Sequence, residues 1–224
     1  MPDRGKVRTM TEITAESVSD EPDLLRRAAE GDQEALRALF ERYHDRLKRM
    51  VHLRLNRRLA GRIDDSDVVQ EAYLDVSRRL DEYLQGPPTS FFLWLRNVTA
   101  MKLSEVHRRH LGTQLRDADR EVTLHRGGLP MADSVSLAAQ LLGKLTAPSQ
   151  AAIKAETRML VQEALNSMDP IDREVLALKH FEQLSTSEIA EVLGLSKAGA
   201  GSRYLRAIKR LRAILEQIPG FEAL

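Results

Sequence analysis

Between Gly201 and Arg212 the chain reads "GSRYLRAIKRLR", five basic residues and no acid. Arg203, Arg206 and Arg210 are spaced three and four apart, so on a helix they share one face. Guanidinium groups arrayed in this way suit phosphate contacts and guanine readout. A second basic run, Arg42 to Arg62, holds eight Arg/Lys against one acid, Asp45. The next stretch, Ile63 to Glu82, inverts this with seven Asp/Glu against two Arg. The formal net charge of +1 conceals this separation. Distinct basic and acidic faces suit contact with a polyanion on one side and a protein on the other. A solvated helix face is the alternative reading of any single patch.

Other chemistries find little support. His107 and His110 share a helix face but have no neighbouring carboxylate pair or cysteine, and they read as part of a basic helix end. "DDSD" at 64–67 lacks the spacing and turn glycine of a calcium loop. There is no phosphate-cradling glycine loop and no convincing nucleophile beside a base. No catalytic residue, metal or cofactor is expected, and the chain does not read as an enzyme. The absence of cysteine excludes disulfides and thiolate metal sites.

The elements that must position these charges are helical. Aromatics make up only 4% of 224 residues, and long Leu/Ala/Arg/Glu stretches at helical spacing dominate. The fold class is all-α, with two small helical domains joined by a flexible linker. Residues 1–20 are polar, without periodicity, and read as a disordered tail. A short helix, "DLLRRAAE", stops at Gly31. Asp32 caps the next, with Leu36, Leu39, Phe40, Tyr43, Leu47, Met50, Val51 and Leu55 on one face and Gly61 as its breaker. "DDSDVVQEAYLDVSRRLDEYL" opens with acids that favour a helix N-terminus and ends at "GPP" (86–88). "SFFLWLRNVTAMKLSEVHRRH" completes a bundle over 21–110.

Periodicity weakens over 111–155, where Gly127, Gly128, Pro130 and Pro148 suggest an extended tether holding one short helix around "SLAAQLLG". Regularity returns over 156–218. Asp169 caps a helix with Pro170 in its first position, and Ser185 with Glu188 forms a capping box for the next. Ala190 and Gly194 have the small-residue and turn-glycine spacing of a helix-turn-helix, clamped by Ile189, Leu193 and Leu195. Its second helix, capped by Ser196, would enter the major groove with Lys197, Arg203, Arg206, Lys209 and Arg210. No apolar run approaches the ~18 residues of a membrane span, and "MPDRGKVRTMTEIT" lacks a secretory core. A cytoplasmic location is expected.

Several motifs together resemble a known family. "DVVQEAYL" (67–74) resembles the D-x-V-Q-E-x-F/Y-L signature of the extracytoplasmic-function group of bacterial RNA polymerase sigma factors. "FFLWLRNV" with its basic helix end is similar to their promoter-melting element, and "MDPIDREVLALKHFEQLSTSEIAEVLGLS" to their second promoter-binding domain. The resemblance spans 21–110 and 156–215. It implies a promoter-specificity subunit that binds RNA polymerase core and promoter DNA, and it leaves room for an anti-sigma factor or other inhibitory partner. Asp67, Gln70, Glu71 and Leu74 match the surface that docks on core polymerase, while Asp67 and Glu71 also serve as first-turn acids. Trp94 matches a tryptophan near the unpaired minus-ten bases, or is core. Arg96, Lys102, Arg108 and Arg109 would lie along DNA backbone. Ser196, Lys197, Ser202, Arg203 and Arg206 fall in the helix that reads the minus-thirty-five element. The chain departs from the pattern at Ala100-Met101, at Ala198-Gly199-Ala200-Gly201 and in its linker of roughly 45 residues. A helix-turn-helix activator or repressor outside the polymerase is the rival reading.

The two glycines pose a separate question, since each costs about 1 kcal/mol against alanine in a helix. They are explained by drift, by a helix that begins only near Ser202, or by a backbone that must approach phosphate closely. The flanking basic residues favour the last, a smooth surface against the groove.

Overall fold

The computed structural model describes residues 21–59, 61–86, 89–111, 131–145 and 151–216. The tail at 1–20 and the tether over 112–130 and 146–150 lie outside them. Nine helices occur among the described residues and no strand. The first four are α1 (Glu21–Ala29), α2 (Gln33–Arg54), α3 (Asp65–Gln85) and α4 (Phe91–Leu111). They are followed by α5 (Ser134–Leu145), α6 (Ala151–Asn166), α7 (Pro170–His180), α8 (Thr186–Leu193) and α9 (Lys197–Leu215).

Local chemistry accounts for most boundaries. Gly31, at φ 91°, turns the chain after α1 in the left-handed region. The Asp32 carboxylate then accepts from the amides of Glu34 and Ala35 at 3.0 and 3.1 Å. α2 stops at Arg54, seven residues before the expected breaker Gly61. The cause is Asn56, whose side chain accepts from the Arg58 amide at 3.0 Å in an Asx turn and so competes with the helix. Asp64 and Asp67 form a reciprocal capping box on α3. Asp169 with Pro170 opens α7, and Ser185 with Glu188 opens α8.

The expected apolar faces of α2 and α3 are buried, with Leu39, Leu47, Met50, Val69, Ala72 and Val76 fully so. α4 closes over them with Leu95 and Leu103. An aromatic group, Tyr43, Tyr83, Phe91, Phe92 and Trp94, fills the end of this bundle, with ring centroids 5.0–6.4 Å apart. Such offset and edge contacts add about 0.5–1.5 kcal/mol per pair beyond burial.

The second core joins α5, α6, α7 and α9 through Leu137, Leu142, Val161, Leu165, Leu176, Phe181, Ala207 and Leu211. α5 is the short helix expected inside the linker, yet it is not tethered loosely. Leu137 and Ala138 are fully buried, and Leu53 of α2 belongs to the same cluster. α6 begins at Ala151, five residues earlier than the expected 156.

Candidate nucleic-acid and polymerase interface

Four residues singled out on α3 come together as expected. Asp67, Gln70 and Leu74 are exposed, Glu71 lies between them, and the opposite face (Val69, Ala72, Val76) is core. Leu74 is 53% exposed, an apolar side chain presented among acids. The row forms one wall of an open groove of about 1030 Å³, completed by Glu34, Arg37, Tyr73 and His110. Asp67 has a second task, since its carboxylate accepts from the Asp64 amide at 3.3 Å.

The α4 residues separate. Trp94 is 8% exposed and packs on Tyr83 and Phe91 at centroid distances of 5.0 and 5.7 Å. Of its two readings the structure realises the core one, because the indole sits on the aromatic face turned into the bundle. Arg96, expected along DNA backbone, is buried, and its Nε donates to Glu182 at 2.6 Å. Lys102 is held between Asp75 at 2.8 Å and Glu105 at 2.9 Å, and these carboxylates hold its ammonium pKa above the ordinary value. Arg109 pairs with Glu105 at 2.7 Å, while Arg108 is exposed, as are Asn97 and Met101 earlier on the same helix. His107 is buried and its Nε2 accepts from the Asn56 amide at 3.2 Å; His110 points outward.

α8 and α9 form the helix-turn-helix. Gly194 adopts the left-handed conformation at φ 64°, and its amide closes α8 on Ala190 and Glu191. Lys197, Ala198, Ser202, Leu205, Arg206 and Lys209 make an exposed stripe along α9. Arg203 does not belong to it. It turns to α7, 2.7 Å from Asp172 and 3.5 Å from Asp169. Arg210 donates to the Ser167 carbonyl at 2.8 Å.

The glycines are also placed. α9 runs unbroken from Lys197, so the late start near Ser202 is excluded. The Ser196 hydroxyl accepts from the Gly199 amide at 3.0 Å, the expected cap. A Cβ on Gly199 would come 3.0 Å from that hydroxyl, and one on Gly201 would meet Thr186 Cγ2 of α8 at 3.8 Å. Gly201 therefore lies against α8, whereas Gly199 lies beside the cap of its own helix. Gly201 is only partly exposed, so any groove-facing surface there is shared with Thr186 of α8.

Sequence reasoning missed a junction between the two helical groups. The turn Phe181–Gln183, between α7 and α8, enters a socket on α2 and α4. Arg49 Nε donates to the Phe181 carbonyl at 2.8 Å, and Arg46 to the carbonyls of Glu182 and Gln183 at 2.9 and 3.2 Å. The Glu182 carboxylate lies 2.6 Å from both Arg54 and Arg96, and its side chain is wholly buried. Arg54 also pairs with Glu174, whose other oxygen accepts from the Ala132 amide at 2.8 Å. Burial alone would raise the Glu182 carboxyl, but Arg54 and Arg96 overcome it and hold the pKa below the usual range. Burial likewise works against the Arg54 charge, and the two glutamates raise its pKa above the ordinary value. Nothing in "KHFEQLS" marks a buried carboxylate, because its partners lie 86 and 128 residues away in sequence.

Comparison with known proteins places this geometry. Residues 158–211, covering the helix-turn-helix, match the family model described as sigma-70, region 4. The sigma factor SigW of Bacillus subtilis is 22% identical over 196 residues, 87% of this chain and 96% of that one. The sigma-E factor of Escherichia coli is 26% identical over 187 residues, 82% of this chain and 88% of its own. Both carry the ECF designation, and the similarity runs through both helical groups in order. Through both helical groups the chain is similar to the extracytoplasmic-function group of RNA polymerase sigma factors. A sigma-E factor of Streptomyces antibioticus is 42% identical over 59 residues, which are 26% of this chain and 33% of that one. The structure of CnrH in complex with the cytosolic domain of CnrY shares the fold, with TM-score 0.52 and 23% identity over 88% of this chain and 97% of that one. No helix among the described residues is long and apolar enough to cross a membrane.

Proposed function

We propose that this chain is a sigma factor that docks on core polymerase through the α3 row Asp67, Gln70, Glu71 and Leu74, and reads promoter DNA with α4 and α9. The observation that carries the reading is Leu74, an exposed leucine among acids on a helix whose other face is core. A DNA-binding repressor has no need of such a face. An apolar anchor rimmed by charge is how a protein interface concentrates its binding energy. The acids set the sign of the partner, a basic helical surface.

Promoter contacts fall to the exposed side chains. Lys197, Ser202, Arg206 and Lys209 face the minus-thirty-five duplex, with Ser196 fixing the start of α9. Arg108 and Arg109, at the exposed C-terminal end of α4, face the minus-ten region, where captured bases offset an unstacking cost of about a few kcal/mol per step. Lys102 contributes once Asp75 and Glu105 release it. The protein does no chemistry of its own, acts where polymerase and chromosome meet in the cytoplasm, and is a candidate for an inhibitory anti-sigma partner.

The test adds purified protein to core polymerase and measures promoter-dependent initiation. Parent protein should support it, and the Glu71→Lys, Leu74→Asp pair should lose core binding by at least tenfold with an unchanged thermal melt. Glu71 is chosen over Asp67 because reversing Asp67 would also remove the α3 cap. Equal co-purification of parent and variant with core would refute the docking assignment. DNA binding by the parent with no affinity for core would favour the free activator or repressor.

A further inference from the structure

We propose that the loop between α2 and α3 is a second phosphate grip, in which Arg57 and Arg58 hold the backbone of double-stranded promoter DNA flanking the minus-ten element. This rests on the promoter-reading function above. Eight Arg/Lys crowd the run Arg42 to Arg62, and the structure divides them. Arg46, Arg49 and Arg54 are occupied by the turn Phe181–Gln183 and its carboxylate. Arg62 lines the α3 groove. Arg57 and Arg58 are exposed, and neither guanidinium has a partner among the described residues. The acids that follow in the chain are already engaged. Asp64 accepts from the Ser66 amide at 2.7 Å, and Asp65 lies 2.7 Å from His52.

The loop is built to hold this pair still. The Arg58 amide donates to Asn56 Oδ1 at 3.0 Å, the Leu59 amide to the Asn56 carbonyl at 2.8 Å, and the Arg62 amide to the Leu59 carbonyl at 2.9 Å. Leu59, 2% exposed, plugs into the first core, and Gly61 turns the chain at φ 87°. Arginines fixed on the outside of a tight turn lose little backbone freedom when an anion arrives. The Asn56 amide also donates to His107 Nε2, 51 positions away, at 3.2 Å. That bond sets the loop against the last turns of α4, where Arg108 and His110 are exposed. Cations remote in sequence therefore meet at one end of the bundle.

Composition selects the ligand. Single strands are held by stacking bases on aromatic rings, whereas "LNRRL" (55–59) and "HRRHL" (107–111) contain no Phe, Tyr or Trp. A rigid, purely cationic surface suits the phosphates of a duplex. Phe91 and Arg108 lie about 26 Å apart along α4 at ~1.5 Å per residue. That length equals about eight base pairs at ~3.4 Å each. With α4 lying along the minus-ten bases, the loop at its far end lies beside paired DNA.

The test reconstitutes holoenzyme with parent or Arg57→Ala, Arg58→Ala protein and measures promoter binding over about 50–200 mM salt. The slope of log affinity against log salt should flatten by about 1.8 in the variant, about 0.9 for each lost phosphate contact. Affinity should fall about tenfold, equally for a matched and a scrambled minus-ten sequence, with core binding unchanged. Arg57→Lys, Arg58→Lys should keep most of the parent slope. The chain has no cysteine, so Arg58→Cys carries a single DNA-cleaving chelate, whose cuts should fall in the duplex flanking the minus-ten element. An unchanged slope, cuts elsewhere, or a loss of core binding in place of DNA binding would each overturn the grip. If the parent itself does not bind core, the docking reading fails. Free protein titrated with a duplex of unrelated sequence then tests the loop alone, since phosphate contacts carry no sequence information. There too, an unchanged slope in the alanine variant refutes it.

Discussion

A glycine that weakens a helix need not mark a surface; it can mark a neighbour. Gly201 lies opposite Thr186, with 3.8 Å left for a methyl group, so Gly201→Ala should raise stability by up to about 1 kcal/mol. Gly199 differs, because a methyl there crowds the Ser196 hydroxyl at 3.0 Å. The propensity gain of about 1 kcal/mol is then offset by a disturbed cap of similar worth, leaving Gly199→Ala close to neutral. Thermal melts of the two variants check this, and an equal gain in both would show that the Ser196 cap contributes nothing. Bulk at Gly201 should destabilise the α8–α9 pair. Its effect on DNA affinity then follows from lost fold, not from a lost contact on the outer stripe. Asp67 carries a parallel lesson. A motif residue can cap its own helix and face a partner, so its charge reversal tests two things together.

Most helices were legible because their signals are local. Asp32, Asp169 with Pro170, and Ser185 with Glu188 each announce a start within four residues, and the structure places a helix at each. Arg54 and Asn56 show the limit: the glycine at 61 is a conspicuous breaker, but an Asx turn ends α2 earlier. The α5 segment shows another. "SVSLAAQLLG" reads correctly as a helix, yet nothing in its own pattern says that Leu53, over 80 positions earlier, covers it. Docking of this kind is non-local and leaves no periodic trace. It has a measurable consequence. Leu137 is fully buried, so Leu137→Ala should cost about 2–5 kcal/mol in denaturant unfolding. A loose tether would tolerate the same change with almost no loss. The candidate site divides on the same line. The α3 row follows from helical spacing. Of the face Arg203, Arg206 and Arg210, however, only Arg206 lies on the α9 stripe, since Arg203 turns to Asp172 and Arg210 to the Ser167 carbonyl. Arg96 likewise turns to a carboxylate brought from another element.

The whole molecule carries two kinds of electrostatics, and they should respond differently to solution conditions. The basic stripe on α9 faces water, so promoter binding should fall steeply with salt as condensed counterions compete. The Glu182 socket is buried, beyond effective screening, so closure of the junction between the two helical groups should persist at ionic strengths that abolish DNA binding. Acid reverses the comparison. The groups facing Glu182 are Arg54 and Arg96 at its oxygens, Arg46 and Arg49 at the neighbouring carbonyls, and Glu174, which shares Arg54. With the Glu182 pKa held below its ordinary value, its ionised form stabilises closure fully above the usual carboxylate range of about 4.3. That contribution is lost as pH falls through the lowered pKa, because protonation leaves the arginines facing a neutral acid. Energy transfer between labels on the two helical groups, attached at Ser77→Cys and Arg212→Cys, should therefore stay high from pH 8 to about 5 and fall on further acidification. Glu182→Gln, which cannot titrate, should show no step at that point and should be partly open throughout. A parent whose closure is insensitive to acid but dissolves with salt would place the holding charges on the surface and not in the socket.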